Sequence, residues 1–336
     1  MATRLNPSNL SRCATLPINR SSAARRAAAS VAITAIAWLA GTPVSAQTPA
    51  PPAAPAAAPA PVTPGPTLDR IRQTGVITLA YRESSAPFSY LVDGKPVGYA
   101  LELCQRIAQS VQRKLGLRTL DIRYVPVTGA TRIDAIRYGQ ADLECGSTTN
   151  NAERRKIVDF TVPHYIAGVK LLVRAGEGSR GLDGLKGKQV AVTTGTTTIK
   201  IVATESESRA LGITAVEARD HAESFGLVEA HKADAFAMDD ILLYSLRAAS
   251  KNPAGYEVVG DLLSIEPYGI MLRRGDPDFK KMVDAEMARM ALDGDMLRLY
   301  VRWFQQAIAP RNVVLGVPQS RLLRDAWLYP TDRVGD

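Results

Sequence analysis

The chain has 336 residues, of which 46% are apolar and 22% charged, an ordinary composition for a globular protein of about two domains. Its formal net charge of +8 is concentrated near the N-terminus, because residues 1–46 hold five arginines and no acidic residue. The remaining 36 basic and 33 acidic residues form no long run of like charge, which argues against a nucleic-acid partner.

Residues 1–46 have the pattern of a secretory signal peptide. Arg25 and Arg26 precede an apolar stretch over residues 27–40, which is shorter than the roughly 20 residues that span a membrane. Small residues follow and end at Ala46, a pattern that predicts cleavage after Ala46 and a periplasmic mature protein. The alternative interpretation is an uncleaved anchor helix.

Residues 47–67 separate this signal from the rest of the chain. They contain eight prolines, and most of the other residues are alanine or threonine. Such a composition favours extended, solvated conformations and cannot build a hydrophobic core. We therefore expect a disordered linker.

Short apolar runs and amphipathic stretches alternate after the linker, which indicates an α/β fold with largely parallel sheets. The predicted strands are 76–80, 122–127, 141–145, 169–173, 188–193, 215–219 and 233–238, and the segment 265–272 is expected to return the chain to the unit that holds the first strands. The predicted helices cover 99–115, 132–138, a segment through 199–202, 277–292 and 294–304. The last thirty residues are expected to be irregular.

Two cysteines, Cys104 and Cys145, remain after the signal peptide is removed. An oxidising compartment permits a disulfide between them, and the alternative is two small buried side chains. Neither has a CxxC partner or a histidine at metal-ligand spacing, so we expect no metal site and no cofactor.

The segment from Glu144 to Arg154 is the first candidate for a binding site. A strand ends there, a glycine turns the chain, and the hydroxyls of Ser147 and Thr149 lie near a predicted helix start, where an anion is stabilised. Arg154 follows Ser147 by seven residues and can clamp a carboxylate through two hydrogen bonds. The alternative is a plain helix cap followed by a surface salt bridge.

A second turn has the same character. The threonine-rich segment 193–198 also follows a strand and opens a helix, so the two turns together suggest a ligand held from both sides. Four further polar residues follow or lie near the ends of predicted strands, where binding sites occur: Arg82, Arg132, His221 and Asp239. A carboxylate at Asp239 could accept an ammonium group.

Several motifs of this chain recur in the same order in a known family. They are Arg82-Glu83-Ser84-Ser85-Ala86-Pro87-Phe88, Glu144-Cys145-Gly146-Ser147-Thr148-Thr149-Asn150, Thr193-Thr194-Gly195-Thr196-Thr197, Asp220-His221 and Met238-Asp239-Asp240. In these motifs the sequence resembles the glutamate/aspartate-binding branch of the family 3 extracellular solute-binding proteins of ABC importers. The similarity covers roughly residues 68–332.

The resemblance implies a type II periplasmic binding protein fold, which is α/β and has two lobes joined by a two-stranded hinge. Lobe one would comprise 68–167 and 263–336, and lobe two 168–262. It also implies a monomer without catalytic activity that closes on an acidic amino acid and delivers it to the membrane permease subunits of an ABC importer.

The resemblance further implies a role for each site residue. Arg154, assisted by Ser147, Thr149 and Thr197, would bind the α-carboxylate of the ligand, and Asp239 its α-ammonium. Arg82, Arg132 and His221 would face the side-chain carboxylate, with Thr196 nearby. The family carries a serine where this chain has Gly129, and Thr128 or Thr131 could replace the missing hydroxyl.

The charges of these residues favour the same ligand class. Three arginines and Asp239 give the site a formal charge of +2, with His221 neutral, whereas an acidic amino acid carries −1. A basic ligand would leave buried guanidinium groups unpaired, which costs roughly several kcal/mol per ion. The alternatives are a dehydratase-like periplasmic enzyme, with Glu83 or Glu144 as the proton-transfer group, and a ligand sensor on the same fold.

Overall fold

The computed structural model describes residues 67–333 of the chain. The predicted signal peptide 1–46 and residues 47–66 of the predicted linker lie outside this range. Within it, helices and strands alternate as predicted, and none of these helices is long and apolar enough to cross a membrane. The first described helix begins at Thr67, which the sequence analysis placed last in the linker, and the backbone N–H of Thr67 donates a 2.7 Å hydrogen bond to Asp276 Oδ2.

The described helices are α1 (Thr67–Thr74), α2 (Tyr99–Leu115), α3 (Arg132–Arg137), α4 (Ala152–Arg155), α5 (Thr198–Ser208), α6 (His221–Glu229), α7 (Asp240–Ala249), α8 (Pro277–Leu292), α9 (Asp295–Tyr300) and α10 (Arg321–Leu328). The described strands are β1 (Val76–Tyr81), β2 (Ser84–Ser85), β3 (Ser89–Val92), β4 (Lys95–Val97), β5 (Asp121–Pro126), β6 (Leu143–Glu144), β7 (Val158–Phe160), β8 (Tyr165–Ala167), β9 (Val169–Arg174), β10 (Gln189–Thr193), β11 (Thr214–Ala218), β12 (Ala235–Asp239), β13 (Tyr256–Val259), β14 (Glu266–Tyr268), β15 (Met271–Arg273), β16 (Ala307–Ile308) and β17 (Val313–Val314). Short 3₁₀ turns lie at Leu182–Leu185 and Pro253–Gly255, and a π-helical turn at Val301–Gln305.

Two five-stranded sheets form the body of the described chain. The first has the strand order β5-β1-β6-β15-β7, in which β5, β1 and β6 are parallel and β15 runs antiparallel to its neighbours. The second has the order β11-β10-β12-β9-β13, with β11, β10 and β12 parallel and β9 antiparallel to β12 and β13. Because β15 follows the whole second sheet in sequence, the chain returns to the first sheet as predicted.

Two strands connect the sheets. β8 lies between β7 of the first sheet and β9 of the second, and β14 lies between β13 and β15. They pair antiparallel, with Tyr165 opposite Tyr268 and Ala167 opposite Glu266. This pair is the two-stranded hinge of the predicted type II binding protein fold.

Aromatic rings hold the connecting strands against the side of the molecule that carries the first sheet. Tyr165 of β8 stacks on Phe304, with 5.0 Å between ring centroids. Tyr268 of β14 meets Phe88 edge-on at 5.1 Å. Phe88 belongs to the chain segment before the first connecting strand, and Phe304 to the segment after the second. Both segments contain strands of the first sheet or follow them directly, so these contacts attach both connecting strands to the first-sheet side.

The C-terminal tail is not irregular throughout, as the sequence analysis expected, because it contains α10. Ser320 caps this helix by accepting a hydrogen bond from Leu323 N. Leu323 and Trp327 are one helical turn apart and both buried, and Trp327 Nε1 donates to Pro163 O at 3.0 Å. This i, i+4 apolar pair is the signal that the prediction missed.

The segment 265–272, through which the chain returns to the first sheet as predicted, is divided between two strands. Gly269 and Ile270 separate β14 from β15. A Cβ atom on Gly269 would lie 3.1 Å from Thr161 O, and Ile270 N donates to Thr161 Oγ1 instead of to a strand. The chain therefore bends here between the hinge pair and the first sheet.

Cys104 and Cys145 form a disulfide, which decides between the two alternatives that the sequence left open. Their Cα atoms are 6.1 Å apart and 41 residues apart in sequence. The bond joins α2 to the residue that follows β6. It therefore anchors the start of the segment that carries Ser147 and Thr149.

Replacing both cysteines, as Cys104→Ser with Cys145→Ser, should lower the free energy of unfolding by about 2–4 kcal/mol, since the bond closes a long loop in the unfolded chain. Urea unfolding of the mature protein measures this difference. Reduction of the unsubstituted protein should give a similar loss. A change below about 0.5 kcal/mol in both experiments would contradict a stabilising role.

Candidate functional site

The loops that follow the parallel strands of both sheets enclose one small cavity. Its volume is about 10 Å³, and its lining residues are Arg132, Ser147, Thr149, Thr196, Thr197, His221, Met238 and Asp239. Seven of the nine predicted site residues are therefore in its wall. The other two contact that wall: Arg82 approaches His221, and Arg154 donates to the backbone of Thr149. The predicted residues of both sheets therefore lie at one cavity.

Two guanidinium groups from the first-sheet side meet at one carbonyl oxygen of the second-sheet side. Arg132 Nη2 and Arg154 Nη2 each donate to Gly195 O at 3.3 Å. Arg132 Nη1 also donates to Ser147 O at 3.3 Å, and Arg154 Nη1 to Thr149 O at 2.9 Å. The two arginines are thereby held at the cavity by backbone carbonyls from both sides of it.

The segment that positions Arg154 differs from the predicted anion cradle. α4 is a single turn of four residues, and Asn151 rather than a serine or threonine is its N-cap, accepting from Arg154 N at 3.0 Å. Ser147 and Thr149 precede this cap and lie in the cavity wall. Arg154 itself is buried, so the alternative of a surface salt bridge is wrong.

A third guanidinium lies at the other end of the cavity. Arg82, the residue after β1, is 1% exposed, and its Nη2 lies 3.5 Å from His221 Nε2. On the other side of the ring, His221 Nδ1 lies 2.9 Å from Thr193 Oγ1, which in turn contacts Ser224 Oγ at 2.8 Å. Burial, followed by the charges of Arg82 and Arg132, lowers the pKa of His221 well below its usual value, so the imidazole is neutral.

The hydrogen-bond partners then assign the tautomer of His221. Because a guanidinium has only donors, Nε2 accepts from Arg82 and Nδ1 carries the proton. Nδ1 donates to Thr193 Oγ1, whose own hydrogen goes to Ser224 Oγ, and Ser224 Oγ donates to Asp220 O at 3.0 Å. This chain fixes the ring beside Arg82.

Burial and mutual repulsion act on all three guanidinium groups. Burial, followed by the charge of Arg132, lowers the pKa of Arg82 to about 9 and that of Arg154 to about 9. Burial also lowers the pKa of Arg132, against which the charge of Glu144 acts. Desolvated cations this close together are costly unless anions compensate them. The cavity therefore favours negative charge.

Asp239 supplies the opposite charge in the same cavity. It ends β12 and is 2% exposed, and its Oδ2 accepts a short hydrogen bond from the hydroxyl of Tyr268. Burial, followed by the negative charge of Glu266, raises the pKa of this carboxyl to about 8. Its Oδ1 is buried without a hydrogen-bond partner among the described residues, so it is available to a donor such as an ammonium group.

Other buried polar atoms around the cavity also lack partners within residues 67–333. They include Arg82 Nη1, Arg132 Nε and Ser147 Oγ. Unpartnered donors at Arg82 and Arg132, together with an unpartnered acceptor at Asp239 Oδ1, suit a small ligand that carries both negative and positive groups. In the described part of the chain, no cluster of three His, Cys, Asp or Glu side chains is arranged to hold a metal ion.

Two further carboxylates lie near the site and were not included in the predicted charge. Glu144 is fully buried and accepts from Thr148 Oγ1 at 2.8 Å. Glu266, in β14, is 3% exposed and accepts from Thr197 Oγ1 at 2.9 Å and from Ser264 Oγ at 2.7 Å. The predicted site charge of +2 is therefore wrong, because three carboxyl groups balance three guanidiniums when all six are ionised.

Gly129 lies against the opposite loop and leaves no space for a side chain. A Cβ atom there would lie 2.3 Å from Thr194 O, so a serine cannot take this position in the present arrangement. Thr128 and Thr131 do not replace its hydroxyl. They bind each other at the start of α3, with Thr128 N donating to Thr131 Oγ1 at 3.0 Å, and neither lines the cavity.

Comparison with known proteins identifies the family and agrees with this fold. A family model for bacterial extracellular solute-binding proteins, family 3, matches residues 77–306. The L-glutamate/L-aspartate-binding protein of Pseudomonas aeruginosa is 41% identical over 272 residues, which cover 80% of this chain and 90% of that protein. The glutamate/aspartate import solute-binding protein of Escherichia coli is 37% identical over 270 residues, covering 80% of this chain and 89% of that protein.

Among solved structures, an ancestral arginine-binding protein bound to arginine matches with a TM-score of 0.62 and 27% sequence identity. The match covers 68% of this chain and 98% of that one. Since the family model spans more than half of the sequence, and relatives of similar length are up to 41% identical, the chain belongs to the bacterial extracellular solute-binding proteins of family 3.

Proposed function

We propose that this protein binds glutamate or aspartate between two lobes and delivers it to the permease subunits of an ABC importer. The observation that carries the proposal is the burial of Arg82, Arg132 and Arg154 around one cavity whose opposite wall holds Asp239. Two relatives that align with this chain over about nine tenths of their own length are named glutamate/aspartate-binding or import proteins. Their names support the same ligand and argue against an enzyme.

The α-carboxylate of the ligand binds Arg154, with Ser147, Thr149 and Thr197 as further partners. Arg154 supports this role because its guanidinium donates to the carbonyls of Thr149, which lines the cavity, and of Gly195, which directly precedes the lining residue Thr196. Asp239 Oδ1 accepts from the α-ammonium. Both roles are matched by the charge and hydrogen-bond capacity of the groups.

The side-chain carboxylate of the ligand faces Arg82, Arg132 and His221, with the hydroxyl of Thr196 beside them. Arg82 Nη1 and Arg132 Nε are unpartnered donors, which supports their assignment to an anion. With Asp239 ionised by contact with the α-ammonium, the side-chain carboxylate of the ligand faces the unpartnered donors of Arg82 and Arg132, whereas a basic side chain would place a further cation against them.

The two lobes comprise 68–167 with 263–336, and 168–262, and they close on the ligand about β8 and β14. The membership of the two sheets supports these boundaries, since all strands of the second sheet lie within 168–262. Closure about two connecting strands is a hinge motion. The mature protein is a periplasmic monomer released by cleavage after Ala46.

A catalytic role would need a proton-transfer group that faces the substrate. Glu83 is exposed, and Glu144 is engaged by Thr148 and does not line the cavity. The two candidates that the sequence offered as proton-transfer groups of an enzyme therefore do not face the cavity.

Uptake of labelled glutamate by cells with and without the protein tests transport directly. A protein that binds glutamate but leaves uptake unchanged would indicate a sensor.

The Arg154→Ala variant should bind glutamate more weakly by about 2–5 kcal/mol, because the variant leaves the α-carboxylate buried without its cationic partner. Isothermal titration calorimetry measures the loss. Arg72→Ala is a matched control, since Arg72 is 57% exposed and pairs with Asp69 on α1. Equal affinities for Arg154→Ala and the control would remove Arg154 from the site.

Lysine and arginine should bind at least about 1000-fold more weakly than glutamate, since an extra cation would lie against Arg82 and Arg132. A thermal-shift screen of the mature protein against the twenty amino acids tests this, because a ligand at 100 times its dissociation constant stabilises by about 2.7 kcal/mol. Stabilisation by arginine comparable to that by glutamate would favour the ligand of the structural neighbour instead.

Ligand binding should release a proton below about pH 8, since the pKa of Asp239 is raised to about 8 and an ammonium group binds the ionised carboxylate. Affinity should therefore weaken as the pH falls below 8, by at most about tenfold per unit. Calorimetry in two buffers with different ionisation enthalpies counts the released protons. Tyr268→Phe removes a bond that lowers this pKa and should move the release to higher pH.

If the measured heats do not depend on the buffer between pH 6 and 8, Asp239 is already ionised before the ligand arrives, and its assignment as the titrating group is wrong.

A further inference from the structure

Two glycine backbones, one from each side of the cavity, touch each other. Gly129 follows β5 on the first-sheet side, and Gly195 lies between β10 and α5 on the second-sheet side. A Cβ atom on Gly129 would lie 2.3 Å from Thr194 O, and one on Gly195 would lie 2.4 Å from Gly129 O. Both distances are far below those at which a Cβ atom meets a backbone atom, so neither loop can carry a side chain at this contact.

The requirement for glycine has a different origin at the two positions. Gly195 has φ +76°, so its own backbone already favours glycine. Gly129 does not have a positive φ, and the three atoms nearest to its imagined Cβ all belong to Thr194 and Gly195. Contact with the opposite loop, rather than local conformation, is therefore the reason for glycine at 129.

The same contact sets the position of two arginine side chains. Gly195 O accepts from Arg132 Nη2 and Arg154 Nη2, both at 3.3 Å. To reach an ordinary contact distance of 3.4 Å from a Cβ atom on Gly129, Thr194 O would have to move by about 1 Å. Such a shift, if it carries Gly195 along, lengthens both hydrogen bonds beyond hydrogen-bonding distance. It also withdraws Thr196 and Thr197, which follow in the same loop and line the cavity.

We propose that Gly129 is a positioning residue that sets how closely the two lobes approach, and that its contact with Gly195 forms when they close on the ligand. The inference rests on the proposed function, in which closure retains the ligand. A side chain at 129 leaves the open form unchanged and destabilises the closed form. Its effect therefore appears in the rate of ligand release and not in the rate of capture.

The test compares Gly129→Ala with Gly226→Ala. Gly226 lies within α6, and a Cβ atom there would meet nothing within 4 Å. Stopped-flow fluorescence gives the association and dissociation rates for glutamate and aspartate, and thermal unfolding gives the stability of each ligand-free variant. We expect Gly129→Ala to release ligand about tenfold faster or more, with the association rate within about twofold of the unsubstituted protein.

Two further results should accompany this change. Gly129→Val should release ligand faster than Gly129→Ala, since a larger side chain separates the loops further. The ligand-free Tm of Gly129→Ala should match that of the unsubstituted protein, and Gly226→Ala should leave both rates unchanged.

An unchanged dissociation rate in Gly129→Ala overturns the proposal. So does a ligand-free Tm well below that of the unsubstituted protein, because the contact would then exist before closure. If the unsubstituted protein binds neither acidic amino acid, the proposed function fails instead. The same rates are then measured with the amino acid that gives the largest thermal shift, and they decide the role of Gly129 independently.

Discussion

The account depends on the burial of three guanidinium groups around a single small cavity. Arg82, Arg132 and Arg154 are each at least nine tenths buried, and their charges repel one another at close range. The free-energy cost of desolvating three such ions is compensated only where acceptors and negative charges surround them. Backbone carbonyls and the carboxylates of Glu144 and Glu266 provide part of this compensation, and an anionic ligand provides the rest.

The fold explains why these groups come from distant parts of the chain. Both sheets present the carboxyl ends of their parallel strands to the same cavity, so Arg132 in the helix after β5 and Asp239 at the end of β12 both line it. β8 and β14 are the covalent connections between the sheets, and aromatic packing holds them to the first-sheet side. The second-sheet side can therefore move about them while Arg132 and Arg154 keep their places.

Much of this could be predicted from the sequence, because the relevant signals are local. Each polar residue that follows a strand is visible in a one-dimensional pattern, and the motif around Ser147 and Arg154 carries the family resemblance. Because parallel strands end at the same edge of a sheet, the fold class alone predicts that these residues lie close together. This is why seven of the nine predicted residues line the cavity and the other two contact its wall.

The missed features depend on contacts between residues far apart in sequence. Glu266 joins the site through Thr197, 69 residues away, and nothing near Glu266 in the sequence indicates this partner. The contact between Gly129 and Gly195 is likewise visible only when both loops are in place. Glu144 is the exception, because it lies in the quoted motif and directly precedes the site loop. Including its charge lowers the count from +2 to +1, and the remaining unit belongs to Glu266.

A crystal structure of the mature protein with bound glutamate tests the central claim most directly. The account predicts that both ligand carboxylates lie about 2.7–3.2 Å from guanidinium nitrogens, the α-carboxylate at Arg154 and the side-chain carboxylate at Arg82 or Arg132, with the ammonium at Asp239. A glutamate bound outside this cavity, or one whose carboxylates contact none of the three arginines, would contradict it.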